Sequence, residues 1–196
     1  MPKISEKQRT ERRDQILDAA RGCFAEHGYD GATVVRLEEA TGLSRGAIFN
    51  YFGSKEELFI ELAVADSARM SDLWVNEGLE SVVREVLELD PAWLSVYLEL
   101  IRRVRTDTGF RSRIEERQKD VIPVNRARIE EAQRSGEYRD DLEPKEIGMF
   151  VNLVLNGLAL LRAQGDEPPR VELVLGLLED AIGGPARPST RPRTRP

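Results

Sequence analysis

The stretch Thr41-Gly42-Leu43-Ser44-Arg45-Gly46-Ala47-Ile48-Phe49-Asn50-Tyr51-Phe52 sets one arginine and three aromatic rings side by side behind a glycine turn. Such a set is either core or a surface built to touch something. Ser44 is a good N-cap, so Ser44 and Arg45 fall in the first turn of a short helix running to about Tyr51. A helix entering the major groove of DNA meets base edges with that turn, and a guanidinium fork bonds guanine O6 and N7 together. Gly46 and Ala47 keep the helix surface thin enough for close approach. Lys55 follows at the next helix start, where an ammonium and open backbone N–H groups together suit a phosphate. Two short helices that merely pack on their own domain carry the same glycine punctuation, so spacing alone leaves both readings open.

Other chemistry is sparse. His27 is the sole histidine and Cys23 the sole cysteine, so neither has a partner to complete a metal or nucleophilic site. His27 reads as a capping or packing residue and Cys23 as a small buried apolar one. No nucleophile elbow, phosphate loop or metal-ligand cluster is present in the sequence, which leaves an enzyme without machinery. The expectation is no catalytic residue and no resident cofactor.

The elements that must hold Arg45 in place are helices. Ile16, Leu17, Ala20, Cys23 and Phe24 fall at helical spacing, predicting a helix from about Glu6 to Glu26 that Gly28 stops. Thr33 caps a second helix through Ala40, and Gly42 turns the chain into the third. Ala32, Val34, Leu37, Ala40, Leu43 and Ile48 are the expected core between them, with Phe52 inward as well. Ser54-Lys55-Glu56-Glu57 reads as a capping box opening a longer helix to about Trp74. Amphipathic segments follow at 79–89, 91–106, 110–135, 144–164 and 170–183. Proline at 91 and 144 sits at the first helical position, whereas Pro123 should kink or break its segment. The sum is an all-α chain of about nine helices, without internal repeats or hairpin signals.

Charge divides the chain. Residues 1–55 hold nine Lys/Arg against eight Asp/Glu, while residues 56–184 hold sixteen against twenty-seven. The last twelve residues carry four arginines and no acid. An overall charge of −6 therefore conceals two modules with different partners. The expected division is a DNA-binding domain over 1–53, a ligand-binding and dimerisation domain over 54–184, and a disordered basic tail over 185–196. No apolar run approaches the roughly 20 residues that span a bilayer, and no signal-peptide h-region follows the N-terminus, so the expected location is cytoplasmic, away from membranes.

The segment GCFAEHGYDGATVVRLEEATGLSRGAIFNYFGSKEELF resembles the N-terminal domain of the TetR family of bacterial transcription regulators, continuously from about Gln15 to Phe59. The resemblance implies a ligand-responsive repressor that binds a palindromic double-stranded operator as a homodimer. Carried over by position, the DNA-facing residues are Thr33, Arg36, Ser44, Arg45, Gly46, Phe49, Asn50, Tyr51 and Lys55. Tyr51, Thr33 and Lys55 correspond to contacts with the phosphate backbone, and Arg45 and Asn50 to base reading. Relatives often carry a basic residue where Val35 stands. The arm before the first helix holds five basic and three acidic residues through Asp14, so its added grip is modest.

In this family the remaining helices form the effector pocket and the dimer interface. The last two carry wide apolar stripes: Ile147, Phe150, Val151, Val154, Leu155, Leu158 and Leu161, then Val171, Val174, Leu175, Leu178 and Ile182. A four-helix bundle between two subunits would bury the surplus, with an interior core as the alternative. Polar groups set in apolar faces nominate the effector site: Trp93, Tyr97, Glu99, Arg128, Asn152, Asn156 and Glu179. Each has a surface or dimer-contact role as its alternative. The segments VRLEEATGLSRGAIF, WLSVYLE, RTDTGFR and VLGLLE are similar to the actinobacterial aconitase-repressor branch, whose members sense citrate with magnesium. That similarity puts Arg128 and Glu179 on tricarboxylate and metal positions, since a guanidinium forks onto carboxylate and a glutamate oxygen ligates a hard cation. Tyr97, Asn152 and Asn156 depart from a polyanion site and fit a neutral or amphipathic small molecule. Beyond a regulator, the classes left open are a helical protein-interaction adaptor and an enzyme that binds no DNA.

Overall fold

A computed structural model describes residues 5–184, so the expected basic tail lies outside the described residues. These residues form ten helices and no strand. In chain order the helices are α1 (Glu6–Gly31), α2 (Val34–Thr41), α3 (Arg45–Phe52), α4 (Lys55–Glu77) and α5 (Leu79–Glu88). They continue as α6 (Pro91–Thr106), α7 (Thr108–Gln118), α8 (Val121–Ser135), α9 (Pro144–Gln164) and α10 (Val171–Ile182).

Caps explain most boundaries. Thr33, Ser44 and Ser54 each accept a backbone N–H from the first turn of the following helix. That contact satisfies one of the donors that a helix start leaves open. Gly28 breaks the helical dihedrals within α1 at φ 68°, as expected of a stop, although helical hydrogen bonding resumes to Gly31. The predicted segment 110–135 is two helices, α7 and α8, which accounts for the tenth element. Pro123 does not make the break, which falls just before it at Lys119–Asp120. Pro123 is instead the third residue of α8, in a first turn whose N–H groups have no partner within the helix.

Only half of the expected capping box forms at α4. Ser54 Oγ accepts from Glu57 N–H at 3.1 Å, but the Glu57 carboxylate pairs with Arg113 and Arg117 of α7. Two guanidiniums outbid one backbone N–H for a carboxylate.

The packing does not stop at Gly53. One buried cluster joins Ile16, Leu17, Ala20, Cys23 and Phe24 of α1, Leu37 of α2, and Ile48 and Phe52 of α3 to the start of α4. Trp93, Val96 and Leu100 of α6 and Phe110 and Ile114 of α7 complete it. Two further clusters fill the rest, one around Trp74, Ile129, Tyr138 and Ile147, the other around Val83, Leu94, Leu158 and Leu178. The Trp74 indole N–H donates to Tyr138 Oη at 3.3 Å inside the first of these two. A buried indole is thereby satisfied.

The expectation that no segment approaches bilayer-spanning length is corrected by α9. That helix has 21 residues and is long and apolar enough to cross a membrane, yet only 17% of its most apolar stretch is buried. Asn152, Asn156 and Gly157 interrupt the run, so the helix is apolar on average without holding a long unbroken apolar sequence. Met149, Leu153 and Leu160 of α9 are exposed, as are Leu173 and Leu177 of α10.

Candidate nucleic-acid interface

α2 and α3 are short helices joined by Thr41–Ser44, with Gly42 in the left-handed region at φ 66° as the cap of α2. A residue with a Cβ is strained there, which is why glycine makes the turn. Ala32, Leu37 and Ile48 are fully buried between the helices, Val34 and Leu43 partly so. Ala40, expected in this core, is exposed. The α2 turn containing it faces outward, and the smaller core is completed by Phe52.

With that core beneath, α3 presents Ser44, Arg45, Gly46 and Asn50 to solvent. The side chains of Arg45 and Asn50 have no hydrogen bond or ion pair among the described residues, so their donors are open. Phe49 and Tyr51 are half-buried and lean on the core, exposing only part of each ring. Thr33 is exposed at the start of α2, beside Val35, which is 61% exposed and apolar. Arg36 is exposed too, but its guanidinium donates to the Gly31 carbonyl at 2.8 Å. That bond ties α2 to the end of α1 and spends one donor of five.

Lys55 is the most engaged of the nine. Its ammonium donates to the Tyr29 carbonyl at 2.8 Å and lies 4.5 Å from the Tyr29 ring centre. Burial pulls its pKa below the ordinary lysine value, with Asp30 opposing and the Arg103 charge adding to the effect. Two of its three N–H donors remain for another partner.

One residue at this surface escaped the sequence reading. Glu38 of α2 accepts the Arg45 backbone N–H at 2.6 Å, placing a carboxylate over the start of α3. Seven residues and a turn separate the pair, so no local pattern within either helix announces it.

The seven effector candidates separate. Tyr97 Oη bonds Asn156 Oδ1 at 3.2 Å, and Asn156 Nδ2 donates to Asn152 Oδ1 at 3.3 Å, which joins α6 to α9. Burial raises the Tyr97 pKa. Trp93 is committed elsewhere: its indole N–H donates to Asp66 at 2.8 Å, and Arg21 both bonds Asp66 and covers the Trp93 ring at 4.6 Å. Glu99 pairs along its own helix with Arg102. Arg128 Nη2 donates to both carboxylate oxygens of Glu137, at 2.9 and 3.0 Å, near the Tyr138 ring. Glu179 is exposed on α10. A surface cleft of ≈ 510 Å³ between α1, α4, α5 and α6 takes in Trp93 but none of the other six. Polar residues on apolar faces announce themselves by periodicity, but the partners that claim them come from distant helices. His27 is half-buried near the end of α1 beside Glu26, and Cys23 is buried.

The sequence model for bacterial regulatory proteins of the tetR family matches residues 16–62. The HTH-type transcriptional repressor AcnR of Corynebacterium diphtheriae is 40% identical over 184 residues, covering 93% of this chain and 97% of that protein. The HTH-type transcriptional repressor AcnR of Corynebacterium glutamicum is 43% identical over 176 residues, covering 88% and 93%. Among solved structures, Salmonella enterica GusR has a TM-score of 0.69 at 21% identity, covering 92% of this chain and 99% of that one, a likeness of fold.

Proposed function

The chain belongs to the tetR family of bacterial regulatory proteins, and we propose that it is a transcriptional repressor which grips a pseudo-palindromic operator as a twofold dimer. Its named relatives are repressors, not enzymes. The observation that carries the reading is the exposed side of α3, where Arg45 in the first turn and Asn50 in the second hold open donors above a buried core. Arg45, with Asn50, reads bases, while Thr33, Ser44, Tyr51 and Lys55 hold phosphate and fix the register. Phe49 packs against sugar, Gly46 allows the approach, and Arg36 steadies α2.

The dimer forms through α9 and α10. The stripe nominated by periodicity is largely taken up inside the protomer, where Ile147, Val151, Leu158, Val174, Leu178 and Ile182 are buried, and the open face is a different one: Met149, Leu153 and Leu160 along α9, beside Leu173 and Leu177 on α10. Such a stripe, left exposed by the protomer, suits a self-complementary interface. Two heads set about one helical turn apart then meet successive major-groove faces.

A small-molecule effector sets that spacing, and it must bind one spacing better than the other. The Tyr97–Asn156–Asn152 chain, neutral and linking two helices, supports a neutral or amphipathic effector. Citrate with magnesium is the second reading. It would have to compete with Glu137 for Arg128, and among the described residues no group of three His, Cys, Asp or Glu could hold a metal. The ion would therefore rely on ligands that citrate brings, with Glu179 as one protein oxygen.

A gel shift on DNA upstream of the gene, across a salt series, tests the core of the proposal. Specific retardation that weakens steeply with salt is expected, since each phosphate contact releases counterions. Equal binding to operator and scrambled DNA would refute it. Titrating citrate with magnesium against the preformed complex then separates the two effector readings.

A further inference from the structure

Three carboxylates on the first two turns of α4 face four guanidiniums from three other helices. Glu56 meets Arg103 of α6 at 2.7 Å and Arg113 of α7. Glu57 meets Arg113 at 3.6 Å and Arg117. Glu61 meets Arg117 at 2.5 Å and Arg13 of α1. Written in order, the charges alternate without a gap: Arg103, Glu56, Arg113, Glu57, Arg117, Glu61, Arg13. Every carboxylate is shared by two guanidiniums.

Both ends of this chain rest on aromatic rings of the reading head. Arg13 lies 5.4 Å from the centre of the Phe52 ring, the last residue of α3. Arg103 lies 4.4 Å from the Tyr29 ring and 4.7 Å from that of Phe110. Tyr29 in turn holds the Lys55 ammonium. The chain thus runs from the base of the recognition helix, across α4, to α7 and back to the end of α1. An isolated exposed ion pair contributes little, but here the members are half-buried and each constrains the next.

We propose that Arg113 and Arg117 are positioning residues for DNA reading: acting through Glu56, Glu57 and Glu61, they latch the α1–α3 head onto α7. A displacement of α7 is then carried to α3 as a change of head angle, and opening the latch releases the head from one fixed angle. Steady head placement is a condition for two α3 helices to meet one operator together. The inference rests on α2–α3 being the reader, but its first test uses no DNA, so the two can fail separately.

In a Cys23→Ala background, spin labels at Glu39→Cys and Ala127→Cys report the head-to-body distance by pulsed electron resonance. Labelled chain is diluted into unlabelled chain so that only distances within one chain are read. At moderate salt the parent should give one narrow distance. Arg113→Gln with Arg117→Gln should broaden it, and Arg113→Lys with Arg117→Lys should restore most of it. Operator affinity of the double Gln variant should fall about tenfold if the competent head angle drops to roughly a tenth of the population. A lowered Tm with an unchanged distance would assign the network to stability alone and overturn the proposal. Should the double Gln variant not fold, Arg117→Gln alone decides, since Arg117 joins Glu57 to Glu61: an unmoved distance overturns it.

Discussion

Replacing Leu153 by Ala should weaken the dimer proposed through α9 and α10 while leaving the protomer intact. Leu153 is 70% exposed in the isolated chain, so the fold uses little of its side chain. Truncation to Ala removes three carbons, each worth ~0.8 kcal/mol when fully buried. With most of that area still open to a partner, roughly 1.5 kcal/mol per protomer is available to an interface. A twofold interface uses the residue twice, which gives ~3 kcal/mol, or about two orders of magnitude in the dimer dissociation constant. Sedimentation equilibrium across a dilution series measures that constant directly. Far-ultraviolet circular dichroism should show unchanged helix content, because nothing in the protomer core has been removed. A dissociation constant unchanged within error would refute the reasoning and move attention to another exposed apolar pair, Ile122 and Val124 at the start of α8.

Replacing Arg45 by Ala should cost ~1–3 kcal/mol on the operator and relax one base position, read by competition with single-base operator variants. An equal loss on operator and random DNA would instead make Arg45 a phosphate contact. Replacing Gly42 by Ala should lower stability by ~1–2 kcal/mol, because φ is 66° while a Cβ there meets open space, so the penalty is backbone strain alone. A thermal melt that does not move would contradict that dihedral. Replacing Tyr138 by Phe leaves the buried Trp74 indole N–H without its acceptor and should cost ~1–3 kcal/mol in denaturant unfolding. No change would mean that the 3.3 Å contact contributes nothing.

Local signals read well from the sequence because they act over a few residues. Thr33, Ser44 and Ser54 cap the helices they were expected to cap, and Gly42 turns where expected. The open donors of Arg45 and the inward Phe52 follow from those caps by simple counting along a helix. Pro123 misled because a proline tolerates the first turn of a new helix as readily as it ends an old one. What stayed hidden are choices between local and distant partners. Glu57 had a local role in a capping box, yet two arginines more than fifty residues away claim it. Trp93 had the spacing of a pocket residue, yet Asp66 and Arg21 hold it. Periodicity gives the face of a helix, and only the packed chain says which neighbour that face meets.

The Glu38 carboxylate over the start of α3 has a consequence for how the protein would search a genome. Helix starts attract any phosphate, whatever the sequence around it. Here the Arg45 N–H is already occupied by the chain's own anion, and the surrounding protein is acidic overall. That helix start therefore adds little hold of its own on generic DNA, which is left to the phosphate contacts proposed for Thr33, Ser44, Tyr51 and Lys55. Roughly a million or more wrong sites compete for a bacterial regulator, and time lost on them lowers occupancy of the right one. An internal anion at the tip of α3 takes one sequence-blind contact away from those idle visits, and raises the share of the binding energy that depends on what Arg45 meets in the groove.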